Sequence, residues 1–151
     1  MFKKLWRKFR KLVGMGQFSS VADLASHYNN NIEGFAYWLE QNVIYTPDMK
    51  PQDHWQPAEV TIKRRKGDCE DNALVALAVL KIWGWPACVI CMWPKEGVGH
   101  AICVFRRPGY NSYSCLDNGI LRDLKCHNIS DVLFELKPEW ARMEIVRSHN
   151  G

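Results

Sequence analysis

The sequence predicts an α+β fold in which a buried central helix is packed on an antiparallel sheet. Three observations carry this. Asn72 to Trp83 reads Asn-Ala-Leu-Val-Ala-Leu-Ala-Val-Leu-Lys-Ile-Trp, apolar nearly all round, and such a helix belongs inside a protein. Short apolar runs bounded by Gly, Pro and Asn follow it, which is strand patterning. Helix signals dominate before it, so helices and strands are segregated along the chain rather than alternating.

The elements can be justified in order. Residues 2–13 put Phe2, Leu5, Trp6, Phe9, Leu12 and Val13 on one helical face and six Lys/Arg elsewhere. Such a basic amphipathic helix either lies on an anionic membrane surface or packs its apolar stripe on the domain or a partner. Gly14-Met15-Gly16 breaks the pattern as a hinge. Ser20-Val21-Ala22-Asp23 starts a helix to about Asn29 in the manner of a capping box, with Asp in place of Glu or Gln. A second helix spans about Ile32 to Gln41, and Val43-Ile44-Tyr45 is a short extended piece. Asp48 to Gln56 is a polar loop. Pro57 opens a short helix through about Arg64, its fixed φ suiting a first position. The basic run 63–66 reads as a solvated face, although it abuts Cys69. Gly84 ends the central helix. Strands are expected over Ala87–Met92, His100–Arg106 and Tyr113–Asp117. Asn118-Gly119 is a hairpin turn returning through Ile120–Asp123. Ser130 is expected to cap a short helix through Leu136, and Ala141–Val146 to form a terminal strand.

At 151 residues the chain has the length of one domain with one full core. The organisation expected is a basic arm and hinge over residues 1–14 and a folded domain over 19–151. Net charge is +4, but the arm holds six of the 20 basic residues and no acid, leaving a slightly acidic body of 14 against 16. A nucleic-acid footprint is therefore not expected. No run of eighteen apolar residues supplies a membrane span.

Six cysteines could suit a disulfide scaffold. The basic start lacks a following apolar segment and cleavage site, so a reducing, cytoplasmic location is expected, with the arm allowing peripheral membrane contact. Most of these thiols then act as small buried hydrophobes. Cys88-x-x-Cys91 falls on a strand, which points the two thiols to opposite faces and argues against a zinc half-site.

The chemistry concentrates in three places. Gly67-Asp68-Cys69-Glu70-Asp71 sets a thiol at the start of the central helix, where unpaired N–H groups and the dipole favour a thiolate. Gly99-His100 and Leu116-Asp117-Asn118-Gly119 lie at strand edges. Cys69, His100 and Asp117 have the residue types of a nucleophile, a base and its orienter. Antiparallel strands could join the latter two. Taken singly, His100 also reads as an ordinary strand-end residue and Asp117 as turn chemistry. The acids beside Cys69 have two readings as well. Asp68 can cap the helix, with Glu70 and Asp71 in the first turn. Yet three carboxylates oppose ionisation of a neighbouring thiol, and a hard cation bound to their oxygens, calcium above all, would neutralise them.

Trp55-x-Pro57-x-Glu59, Gly67-Asp68-Cys69-Glu70-Asp71, Gly99-His100-Ala101 and Leu116-Asp117-Asn118 together resemble the bacterial transglutaminase-like cysteine proteinases, over roughly residues 30–125. The five-residue cysteine motif is the specific part. The resemblance implies a papain-like, transglutaminase-like core over 19–151, beginning its central helix at the nucleophile. It implies a Cys69-His100-Asp117 triad forming an acyl-enzyme with a protein or peptide substrate. It further implies calcium held by Asp68 and Glu70, with Asp71 beside them. Trp55 matches a motif position that could line the cleft or donate an indole N–H to an oxyanion, for which the Cys69 backbone N–H is the better-placed donor. Two rival outcomes are a non-catalytic calcium- or membrane-binding module on the same fold, and a transglutaminase that passes the acyl group to an amine.

Overall fold

The computed structural model describes residues 18–49, 54–136 and 140–149. The basic amphipathic helix and its hinge lie outside the described residues. Helices α1 (Val21–Tyr28) and α2 (Ile32–Asn42) come first, followed by β1 (Ile44–Tyr45), α3 (Ala58–Arg64) and β2 (Lys66–Gly67). The central helix α4 (Cys69–Trp83) leads into β3 (Ala87–Pro94), β4 (His100–Phe105), β5 (Ser114–Asp117) and β6 (Ile120–Asp123). A 3-10 turn (Ile129–Asp131), α5 (Val132–Leu136) and β7 (Trp140–His149) complete the chain. No described helix is long and apolar enough to cross a membrane.

Local chemistry sets these boundaries. The Ser20 side chain accepts from the Asp23 N–H at 3.0 Å, but the Asp23 carboxylate takes the Ser19 hydroxyl, so only half of the expected capping box forms. The Val21 N–H is met instead by Glu59 of α3 at 3.1 Å, which ties the first helix to the third. Pro57 sits one position before the place expected for it, as the N-cap of α3. At α4 the box is complete and built from two acids. Asp68 accepts from the Asp71 N–H, and Asp71 accepts from the Asp68 N–H at 3.2 Å. Gly84, at φ 75°, supplies the left-handed C-cap. The short helix near the C-terminal end is not capped by Ser130, which lies inside the 3-10 turn that precedes it.

The sheet is antiparallel in the order β6-β5-β4-β3-β7. Its inner strands β3, β4 and β5 are buried on both faces, and the alternation of side chains splits the core in two. Val89, Cys91, Ala101, Cys103, Phe105 and Leu116 pack under α1, α2 and α4, together with Phe35, Trp38, Val75 and Val79. Cys88, Ile90, Met92, Ile102, Val104 and Cys115 face Leu124, Cys126 and Val132. Each fully buried aliphatic or aromatic side chain here contributes about 1.5–3 kcal/mol of transfer free energy. Cys88 and Cys91 therefore stand on opposite faces, and all six cysteines are free.

Two features place the site. The extended piece after α2 pairs in parallel with β2, Ile44 beside Lys66 and Tyr45 beside Gly67. This pairing, not foreseen from sequence, brings 44–49 alongside the start of α4. The β5–β6 turn, with Asn118 at φ 49° and Gly119 at φ 85°, is pressed so closely on α2 that any Cβ at Gly119 would collide with the Glu40 backbone.

Candidate active site

Cys69 is the first residue of α4, immediately after its acidic cap. Its burial is nearly complete at 8% exposure, and it faces a cleft of about 600 Å³. Tyr45, Trp55, Trp93, His100 and Val146 are among the residues that wall the cleft. The thiol donates to Glu70 Oε2 at 3.0 Å. Burial pushes its pKa up to about 12, the Glu70 acceptor adds to that, and the Ala101 backbone N–H acts in the opposite sense. The sulfur is thus held against the residue that follows His100.

His100 opens β4, and its Nε2 lies 2.6 Å from Asp117 Oδ1 at the end of β5. The register Cys103–Leu116 runs the two strands in opposite directions, which carries the start of one to the end of the other. With Nε2 occupied by the carboxylate, Nδ1 is the ring nitrogen left to face a thiol. The Trp140 ring stacks parallel to the imidazole at 6.3 Å. Asp117 Oδ2 lies 3.7 Å from the Arg122 guanidinium. The structure therefore joins His100 to Asp117 directly and sets His100 and Cys69 on one cleft. No hydrogen bond links Cys69 to His100 among the described residues, because the thiol is turned to Glu70.

The acids divide into two groups. Carboxylate oxygens of Asp48, Asp68 and Glu70 lie within 4.8 Å of one another. Burial, reinforced by the charges of Asp71 and Asp48, raises Asp68 to about 6. The Tyr45 phenol is raised too, first by burial and then by the charges at Cys69, Asp68 and Glu70. Crowded, partly desolvated carboxylate oxygens fit a hard divalent cation such as calcium. Asp71 stands apart from this group at 1% exposure. Its Oδ1 accepts the Gln56 backbone N–H at 2.7 Å, and its Oδ2 accepts Gln56 Nε2 at 2.9 Å. Gln56 also donates to the Lys66 carbonyl and accepts from Arg64. Asp71 is therefore the anchor of the segment that sets Trp55 on the cleft wall. Gly67 permits this, since a Cβ there would come 2.6 Å from the Asp71 Cβ.

Asp48, Trp93, Glu144, Arg122 and Trp140 join the site without having been singled out from sequence. Asp48 sits in a polar loop and carries no local signal; only the parallel β1–β2 pair reveals its proximity.

This combination is that of a cysteine-bearing α+β domain of papain-like architecture. A sequence profile of the transglutaminase-like superfamily matches residues 20–137, and the chain belongs to that superfamily. No curated protein matches the sequence at a significant level. Among solved structures, calcium-bound LapG of Legionella pneumophila is similar, with a TM-score of 0.58 and 18% identity over 95% of this chain and 83% of LapG. LapG treated with EGTA gives 0.57 and 18%, over 95% and 81% of the two chains. A candidate cysteine protease from Cytophaga hutchinsonii gives 0.52 and 15%, over 89% of this chain and 51% of its own.

Proposed function

We propose that the protein is a thiol peptidase or amidohydrolase working through a Cys69-His100-Asp117 triad. The observation that carries this reading is the 2.6 Å His100–Asp117 bond at the edge of the cleft that also holds the helix-start thiol. Membership of a superfamily with cysteine-protease-like structural relatives supports it.

The chemistry follows from the residues. Cys69 rotates from Glu70 toward the imidazole and gives its proton to Nδ1, while Asp117 holds Nε2–H and stabilises the resulting cation. The sulfur attacks the substrate carbonyl. The backbone N–H of Cys69, in the first turn of α4, would receive the developing oxyanion. The imidazolium then protonates the leaving nitrogen as the C–N bond breaks, leaving a thioester. Water, activated by the same imidazole, releases the acid. An amine in place of water would make the reaction a transamidation.

Asp48, Asp68 and Glu70 would hold a calcium ion, and its charge would offset their opposition to a thiolate. That calcium-bound and EGTA-treated forms of LapG exist gives this assignment its context.

A peptide-library cleavage screen, read by mass spectrometry with and without an added primary amine, tests the reading. Turnover is expected in the parent protein and not in Cys69→Ala. Equal product from both proteins would remove the triad assignment, and amine incorporation would identify the transfer reaction.

A further inference from the structure

The cleft does not stop at His100. A second cavity of about 300 Å³ shares Val98, Gly99 and His100 with it. Strand alternation separates the two: Cys91 and Ala101 line the first, Met92 and Ile102 the second. Their charges differ. The cleft at Cys69 carries the carboxylates of Asp48, Asp68, Glu70 and Glu144, with no lysine or arginine among the described residues that line it. The second cavity is apolar at Met92, Val98, Ile102, Leu136 and Trp140, and its charged lining is the loosely paired Arg122 and Asp117 beside His100.

Arg122 has capacity to spare. Its guanidinium donates no hydrogen bond to another described residue, its ion-pair distance to Asp117 is 3.7 Å, and its side chain is 44% exposed. A guanidinium presents five N–H donors in a fork that fits a carboxylate. Geometry also assigns the side of the scissile bond. The group that protonates the departing nitrogen must touch it, so the leaving segment lies on the imidazole side of the reacting carbonyl, away from the sulfur. That is the direction of the second cavity.

We propose that this cavity receives the leaving side of the substrate and selects a carboxylate there, bound by Arg122. The inference rests on the thiol-peptidase reading and deepens it. The carboxylate is either an Asp or Glu side chain just beyond the scissile bond or the C-terminal carboxylate of a short leaving peptide. Apolar atoms of the same residue pack on Met92, Ile102 and Trp140.

The test is a panel of quenched-fluorescence peptides cleaved by the full chain. Each carries Glu, Gln or Lys at one of the two positions after the cleaved bond, and each is made as the free acid and as the amide. The parent protein is expected to prefer a carboxylate by about tenfold in kcat/KM, the scale of one charge-assisted pair. A preference following Glu assigns the side chain; one following the free acid assigns the terminus. Arg122→Gln should level the preference and Arg122→Glu should turn it toward Lys, both read as ratios within one variant, so that a lower overall rate does not interfere. Equal kcat/KM across the panel in the parent protein overturns the subsite and leaves the triad untouched. Should no peptide be cleaved, the peptidase reading fails. Calorimetry of the same peptides with Cys69→Ala then decides the subsite independently: tighter binding of the carboxylate forms that is lost in Cys69→Ala/Arg122→Glu supports it, and undiscriminating or absent binding overturns it.

Discussion

His100 and Asp117, seventeen residues apart, meet at 2.6 Å because β4 begins where the antiparallel β5 ends. The carboxylate takes Nε2 and so dictates which ring nitrogen is available to a thiol. Asp117→Asn keeps the shape but can favour the wrong tautomer. It is expected to lower kcat by about 10²–10⁴ with little change in KM, whereas Cys69→Ala falls to background. Steady-state kinetics and a circular-dichroism check of folding measure this. Wild-type kcat in Asp117→Asn would exclude the carboxylate from the reaction.

Calcium should stabilise the folded chain. At about 100 times its dissociation constant a ligand adds about 2.7 kcal/mol. For a domain of this size that is a rise in Tm of roughly 5–10 °C. Asp48→Asn and Asp68→Asn should each abolish most of the difference between melts in calcium and in EGTA. Asp48 is the sharper variant, because it lies outside the motif around Cys69. An unchanged calcium shift in Asp48→Asn would detach that residue from the ion.

The titration of Asp68 sets a pH dependence in the chelated protein. Its folded pKa is raised from 3.8 to about 6, so the native state binds the proton more tightly than the unfolded chain. Native stability therefore falls as pH rises from about 4 to about 6, and the penalty persists at higher pH. Asp68→Asn retains a capping side chain while removing the charge, so in EGTA at pH 8 it should melt a few degrees above the parent. A lower Tm under those conditions would show the carboxylate to be net favourable.

Thiol reactivity reports the Cys69–Glu70 contact. With its pKa pushed up to about 12, Cys69 in EGTA at pH 8 should react with iodoacetamide more slowly than an unperturbed cysteine. The Glu70 charge and acceptor both raise the thiol pKa; Glu70→Gln removes the one and weakens the other, so labelling should accelerate by up to about tenfold per unit of pKa recovered. Peptide mapping distinguishes Cys69 from the buried Cys103 and Cys115. Identical rates in the two proteins would mean that the carboxylate does not restrain the sulfur.

Asp71 is expected to matter for stability. Asp71→Ala leaves the Gln56 amide and the Asp68 N–H without their acceptor, at a cost of about 2–4 kcal/mol. Chemical denaturation measures it. A smaller loss than that of Asp48→Ala would reverse the roles given to the two acids.

Much of this architecture was legible in the chain because it is encoded locally. The acidic cap, the apolar run after Cys69 and the Gly84 stop define α4 within a few residues. Apolar runs between turn residues define β3 to β6 to within two residues at each end. What escaped was non-local. The parallel pairing of 44–45 with 66–67 has no sequence signature, and so Asp48 could not be placed beside Asp68 and Glu70. Asp71 invited a metal role by adjacency, yet helix geometry turns its side chain away from Glu70 and toward Gln56. Local patterning marks the C-terminal strand only over 141–146, while the longer β7 lies beside β3 and brings Trp140 and Glu144 to the two cavities.

That last strand has a consequence for biosynthesis. Cys69, His100 and Asp117 all precede residue 120, but one flank of the cleft is furnished by Glu144 and Val146, and the ring stacked on His100 by Trp140. A nascent polypeptide holds all three of these side chains before it holds an enclosed cleft around them. Until β7 zips onto β3, the cleft lacks the wall that Glu144 and Val146 supply. The cleft is thereby completed only once the residues of β7 have been made and paired with β3.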